Sequence, residues 1–121
     1  MDKSQAMQGF WQGFSLPAYD EYSVPDDAVM PYITYSSTTD SLDGSLALSG
    51  SLWYRSTTWE DVTKKAEEIA EYIVNMTPIP INTGYLWIVK GTPFAQRMAD
   101  PEDDMVRRIY ISITAEYLTA F

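Results

Sequence analysis

The stretch GSLALSGSLWYRSTTWEDVTKKAEEIAEYIVN (residues 44–75) decides the fold, because a strand pattern in it leads directly into a long helical pattern. Apolar and polar side chains alternate over 45–56, which is the period of a half-buried strand, and Gly50 in its middle indicates a bulge or a bend. From Thr58 onward the apolar residues recur at intervals of three and four: Trp59, Val62, Ala66, Ile69 and Ile73. These positions form one stripe of an α-helix, so the sequence predicts a single long helix over 58–75.

The start of this helix carries two candidate caps. Thr57 with Glu60, and Thr58 with Asp61, both fit the reciprocal capping pattern. Each of the two acids also stands four residues before a lysine, an arrangement that favours ion pairs along the helix surface with Lys64 and Lys65.

A second, shorter helix is predicted within residues 1–16. Met7, Phe10, Trp11 and Phe14 have the spacing of one helical face over about 4–14. This aromatic face either packs on the same domain or is available to a neighbouring subunit. The proline-containing segment 17–31 that follows is predicted to be an extended connector.

The remaining segments complete a predicted α+β domain spanning 1–121. Strands are expected over 32–38 and 85–90, and again after residue 104, where apolar and polar residues alternate. The segment 91–104 is predicted to be a long loop of the kind that is often interfacial. The predicted fold is a two-layer sandwich of order α-β-β-α-β-β, with a mostly antiparallel four-stranded sheet packed by the long helix and the short N-terminal one.

Composition narrows the classes of function. The chain has 121 residues, no cysteine, no histidine and a net charge of −9. Thiolate nucleophiles, Ser-His-Asp triads and zinc sites built on Cys or His are therefore excluded. The acidic balance argues against binding to a nucleic-acid backbone as the main role. No apolar stretch approaches the roughly 18 residues of a membrane span, so no association with a membrane is expected.

Acidic residues form the densest polar cluster. They could act as a hydrolytic acid/base pair or as a calcium site, but consecutive acids beside a proline are more often a solvated turn. No phosphate-binding loop is present, so neither a metal, a cofactor nor an enzymatic activity is expected. The residues concerned are Asp100, Glu102, Asp103 and Asp104.

Residue types suited to protein association occur in two places. The 91–104 segment contains aromatic, Met and Arg side chains, which are enriched in interfaces, although they could equally hold the loop against its own domain. The predicted sheet also has a polar-aromatic face that no helix is expected to cover. The interface candidates are Phe94, Gln96, Arg97, Met98, Phe10, Trp11, Trp53, Arg55 and Tyr110.

Three segments together resemble a known family. They are PAYDEYSVPDDAVMPYITY (17–35), GSLWYRSTTWEDVTKKAEEIAEYI (50–73) and GYLWIVKGTPFAQRMADPEDDMVRRIYISITAEYLTAF (84–121). Their order and amino-acid sequence resemble those of the tail terminator, or tail-completion, proteins of long-tailed bacteriophages and prophages of Gram-positive bacteria. The similarity covers nearly the whole chain and contains no catalytic signature.

This resemblance implies a virion structural protein, not an enzyme, that uses no cofactor. The protein would form a homo-oligomeric ring, typically a hexamer, at the tail–neck junction after assembly in the host cytoplasm. The ring would stop polymerisation of the major tail tube protein and join a neck or head-completion protein, and DNA would pass through it without specific binding. Acidic residues that could line the lumen or rim are Asp40, Asp43, Asp100, Glu102, Asp103 and Asp104.

Three alternatives stay open at the level of sequence. The first is a head-closure protein, neck adaptor or other minor tail protein. The second is a stand-alone hydrolase or metal-dependent enzyme built on the acidic cluster. The third is a host adaptor of ferredoxin-like architecture.

Overall fold

A computed structural model describes residues 3–36, 44–82 and 84–119 of the chain. Two helices and six strands follow one another in these residues. The helices are α1 (Lys3–Gln12) and α2 (Glu60–Asn75), and the strands are β1 (Ala18–Asp20), β2 (Tyr32–Tyr35), β3 (Gly44–Arg55), β4 (Ile79–Ile81), β5 (Gly84–Met98) and β6 (Val106–Thr119).

All six strands form one curved, half-barrel sheet of order β1-β2-β3-β6-β5-β4. β1 runs parallel to β2, whereas every other neighbouring pair is antiparallel. The predicted four-stranded antiparallel sheet packed by one long helix is therefore wrong, since the sheet is six-stranded and mixed and strands predominate. The prediction failed because β1 and β4 have only three residues each, too few to produce a recognisable alternation.

The hydrophobic core lies between the helices and one face of the sheet. The helix α2 contacts β3, β5 and β6. Buried side chains of both helices join a single cluster with those of the strands, and the largest fully buried members include Trp11, Phe14, Ile69, Leu86 and Ile111. Along β6 the buried residues alternate with half-buried ones, in agreement with the alternation of apolar and polar residues after residue 104. The buried residues are Ile109, Ile111, Ile113, Ala115 and Tyr117.

Helix α2 confirms the predicted stripe and corrects its cap. Val62, Ala66, Ile69 and Ile73 are all buried. The helix begins at Glu60, and its N-cap residue, Trp59, makes no side-chain capping bond. Thr58 Oγ1 accepts the Glu60 N–H at 3.4 Å, but neither of the two predicted reciprocal pairs forms. The Glu60–Lys64 ion pair is present at 3.1 Å. Lys65 bonds instead to the Glu68 carboxylate at 3.1 Å and to the Phe14 carbonyl at 3.0 Å, which ties α2 to the end of α1.

The predicted loop 91–104 is strand for half of its length. β5 continues to Met98 and pairs with β6 on both sides of an irregularity between Lys90 and Ala95. The irregularity breaks the alternation of side chains, so the second half of the strand could not be recognised from strict alternation. The predicted connector 17–31 likewise contains a strand, β1. The predicted strand 32–38 corresponds to β2, which ends at Tyr35, and residues 37–38 lie outside the described residues.

Gly50 does not form the predicted bulge. It pairs in unbroken register with Tyr35 on one side and Ile111 on the other. The six-membered part of the Trp11 indole lies directly over it, so a Cβ atom built on Gly50 would lie 2.6 to 3.0 Å from three carbons of that ring. The glycine therefore makes room for α1 on the sheet, a role that depends on a residue far away in the sequence.

Candidate functional site: an uncovered sheet face

One face of the sheet is covered by no helix or strand among the described residues. Side chains alternate between the two faces of a strand, and directly paired residues point to the same side. The register therefore assigns to this uncovered face the residues Tyr19, Tyr32, Thr34, Ala47, Ser49, Ser51, Trp53, Arg55, Tyr85, Trp87, Val89, Gln96, Met98, Val106, Arg108, Tyr110, Ser112, Thr114, Glu116 and Leu118.

Side-chain hydrogen bonds hold the part of the uncovered face where β3 ends and β6 begins. Trp53 Nε1 donates to Thr34 Oγ1 at 2.8 Å. Arg108 donates from Nε and from a terminal guanidinium nitrogen to Ser51 Oγ, both at 3.1 Å. The Arg108 guanidinium also lies 4.5 Å from the centroid of the Trp53 ring, within the range of a cation–π interaction. Trp53 and Arg108 are thus fixed in one orientation before any partner arrives.

One end of the uncovered face is apolar and exposed. Tyr85 pairs directly with Leu118, and Trp87 is two residues along the same strand. Their exposed fractions are 47% for Tyr85, 43% for Trp87 and 44% for Leu118. Large apolar side chains grouped in this way are typical of association surfaces, whereas single exposed ones are common on any protein. We call these three residues the apolar patch.

The sequence did not single out the apolar patch. The segment 85–90 is apolar on both faces, which predicted an interior strand. In the structure the helices pack on the face that carries Leu86 and Ile88, and the outward-facing half of the pattern remains in solvent. The one indication in the sequence is that the aromatic residues Tyr85 and Trp87 alternate with the aliphatic Leu86 and Ile88, which are buried.

The four candidates from the predicted loop divide between the two faces of the sheet. Gln96 and Met98 are exposed on the uncovered face, and Met98 pairs with Arg108. Phe94 and Arg97 are on the helix side, where they line a groove of about 250 Å³ between α2 and β5. Phe94 packs against the hydrophobic core. This agrees with the alternative in which Phe94 holds the 91–104 segment against its own domain.

Arg97 belongs to a cationic cluster around Trp59. Its guanidinium lies 5.0 Å from the centroid of the Trp59 ring, and that of Arg107 lies 5.4 Å from the same point. Arg107 is anchored further by donating to the main-chain carbonyls of Asp104 and Thr57. The cluster joins the end of β5 and the start of β6 to the start of α2.

Phe10 and Trp11 are not available to a neighbour in this structure. Both are buried in the core, with their rings 5.0 Å apart edge to face, and Trp11 stacks on Tyr35. Of the two alternatives left open for the aromatic face of the first helix, the structure has the one in which it packs on its own domain, and the assignment of these two residues to an interface is corrected. Trp53 and Tyr110, by contrast, are half-buried on the uncovered face.

The acidic candidates form a local turn. The Asp100 carboxylate accepts the Glu102 N–H, and Asp103 accepts the Met105 N–H. The Met105 N–H, followed by the ion pair with Arg55, lowers the pKa of Asp103. Glu102 and Asp104 are exposed. Asp40 and Asp43 lie outside the described residues.

Searches of the described residues for two kinds of site were negative. No group of three or more His, Cys, Asp or Glu side chains within 3–36, 44–82 and 84–119 could hold a metal ion. No helix in the same ranges is both long enough and apolar enough to cross a membrane. A scan against protein-family models and searches of curated proteins and of solved structures found no match to the chain.

Proposed function

We propose that this protein is a structural subunit of a phage virion that assembles into a ring of the tail-terminator type. The observation that carries the proposal is the uncovered face, with its apolar patch exposed at one end and an ordered Trp53–Arg108 pair toward the other. Aromatic residues and arginine are the types that contribute most binding energy in interfaces.

The resemblance to tail terminators supplies the kind of assembly. A closed ring is built from head-to-tail contacts, in which each subunit uses two different surfaces. The uncovered face is one such surface, and it would contact either the next subunit or the major tail tube protein. The ring would cap the head-proximal end of the tube at the tail–neck junction, after assembly in the host cytoplasm.

The acidic character of the chain is compatible with a channel for DNA. A net charge of −9 repels phosphate, so DNA can pass a ring of these subunits without adhering to it. On this proposal the protein acts by binding the tube and a neck protein and catalyses no reaction.

The test compares two variants that each place a small polar residue where an exposed apolar one stood. Trp87→Ser removes the largest side chain of the apolar patch. Tyr22→Ser is the matched control, because Tyr22 is 88% exposed on the segment between β1 and β2. Each protein is mixed with the polymerising tail tube protein of the same virion, and negative-stain microscopy gives tube lengths and the density at tube ends.

We expect the wild type and Tyr22→Ser to produce short tubes capped by rings, and Trp87→Ser to leave tubes long and uncapped. Circular dichroism must show that the Trp87→Ser variant keeps its fold. Full capping by Trp87→Ser would contradict the role of the patch. Long tubes in the presence of the wild-type protein would contradict the terminator function, and rings bound to the head portal instead would assign a head-closure role.

A further inference from the structure

A second candidate surface lies on the helix side of the sheet, away from the uncovered face. A groove of about 620 Å³ runs between the last two turns of α2 and strand β4. Its apolar lining includes Met76, Pro78 and Ile79, and its acidic lining consists of Glu68 and Glu71. We call this the α2–β4 groove.

The α2–β4 groove is lined by the negative end of a helix. The partial negative charge of a helix dipole is concentrated at its C-terminal turn, and basic side chains normally offset it there. The last turn of α2 contains no basic residue. Met76 is extended and Pro78 has no N–H, so the chain leaves the helix without the backbone closure that often covers the last carbonyls.

An aromatic ring is already positioned at the groove. Tyr72 is 48% exposed, yet its ring is fixed by edge contacts with Phe14 at 5.3 Å and by a tilted contact with Phe10 at 6.1 Å. A ring held in this way offers a π face to a cation with little loss of side-chain entropy on binding.

We propose that the α2–β4 groove binds a segment of another protein that presents a lysine or arginine beside an apolar side chain. The two carboxylates, the helix end and the Tyr72 ring all favour a positive charge, and the apolar lining favours a side chain next to it. Two carboxylates fall short of the ligand set of a metal site. Glu68 already receives the Lys65 ammonium at 3.1 Å, whereas Glu71 has no ion pair within the described part of the chain.

The test uses the full-length protein and two short probes. Backbone amide shifts are followed by two-dimensional NMR while the tripeptide Ac-Leu-Lys-Leu-NH2 is added, and again with Ac-Leu-Gln-Leu-NH2. We expect saturable shifts confined to residues 68–80, with the lysine probe binding about fivefold more tightly, which is the size of an exposed charge interaction.

A pair of variants separates local from global charge. Glu68→Gln combined with Glu71→Gln should weaken binding of the lysine probe about fivefold. Asp26→Asn combined with Asp27→Asn removes the same charge from exposed positions between β1 and β2, and should leave binding unchanged. Circular dichroism checks that both variants melt as the wild type does.

Three outcomes would overturn the proposal. The first is a set of shifts scattered away from 68–80, and the second is equal binding of the lysine and glutamine probes. The third is that the wild type self-associates in sedimentation experiments and the double glutamine variant does not. The groove would then bind a second copy of this chain. None of these results depends on whether the protein caps a tail tube.

Discussion

Replacement of Gly50 by alanine tests the central packing contact of the fold. The added Cβ would lie 2.6 Å from the nearest carbon of Trp11, well inside van der Waals contact, and Trp11 is fully buried. Overpacking of a core costs about 1–3 kcal/mol. Alanine regains roughly 0.5–1 kcal/mol because it loses less backbone entropy than glycine on folding. We therefore expect Gly50→Ala to lower the free energy of unfolding by about 1–2 kcal/mol.

The assay is urea unfolding followed by circular dichroism at 25 °C. With a slope of roughly 1–3 kcal/mol per molar urea, the midpoint should fall by about 1 M. Gly9→Ala is the control, since a Cβ at that exposed helical position meets nothing within 4 Å. It should raise the free energy of unfolding by up to about 1 kcal/mol through helix propensity.

A second substitution identifies the cause of the loss. Phenylalanine at position 11 lacks the outer indole carbons that approach Gly50, and it also removes the Trp11 Nε1–H, which is buried without a hydrogen-bond partner among the described residues. In a Trp11→Phe background, Gly50→Ala should therefore cost about 1 kcal/mol less than in the wild type. An unchanged midpoint for Gly50→Ala, or an equal loss in both backgrounds, would refute this account of the packing.

Three further predictions concern polar groups. Ser51→Ala removes the oxygen that accepts both Arg108 bonds and should lower the free energy of unfolding by about 1–2 kcal/mol, measured by urea unfolding. The lowered pKa of Asp103 means that its bonds to Met105 and Arg55 stabilise the fold above about pH 4 and are lost as pH falls through that pKa. The difference in urea midpoint between wild type and Asp103→Asn should accordingly narrow below pH 4. Burial raises the pKa of Tyr117, so the neutral phenol stabilises the fold fully below about pH 10 and this contribution is lost as pH rises through the raised pKa. The melting temperature of Tyr117→Phe should accordingly fall less steeply with pH above about 10 than that of the wild type.

Local periodicity predicted the parts of the fold that depend on it. The apolar stripe of α2 and the alternation along β6 each extend over so many residues that they are unlike a chance pattern. The short strands β1 and β4 do not. The resumption of β5 after its bulge could not be predicted either, because the irregularity shifts which residues face β6.

The candidate site was predicted only in part, for a different reason. Alternation assigned Trp53 and Tyr110 correctly to a face that no helix covers. It could not assign Tyr85 and Trp87, because a segment that is apolar on both faces does not show which face another layer covers. In the structure the helices pack on the face of Leu86 and Ile88, and Tyr85 and Trp87 remain exposed. The close approach of Trp11 to Gly50 could not be predicted either, since the two residues are remote in sequence.

The edges of the sheet indicate how copies of this chain can associate. Among the described residues the outer edge of β5 has no strand partner from Trp87 to Met98, which makes it a potential site for strand addition. That edge is interrupted by the bulge and by Pro93, which has no N–H to donate, and it carries the exposed Lys90. Each of these features hinders edge-to-edge pairing. For the proposed assembly, the side chains of the uncovered face are therefore a better contact surface than this strand edge, and this is why removal of Trp87 is its decisive test.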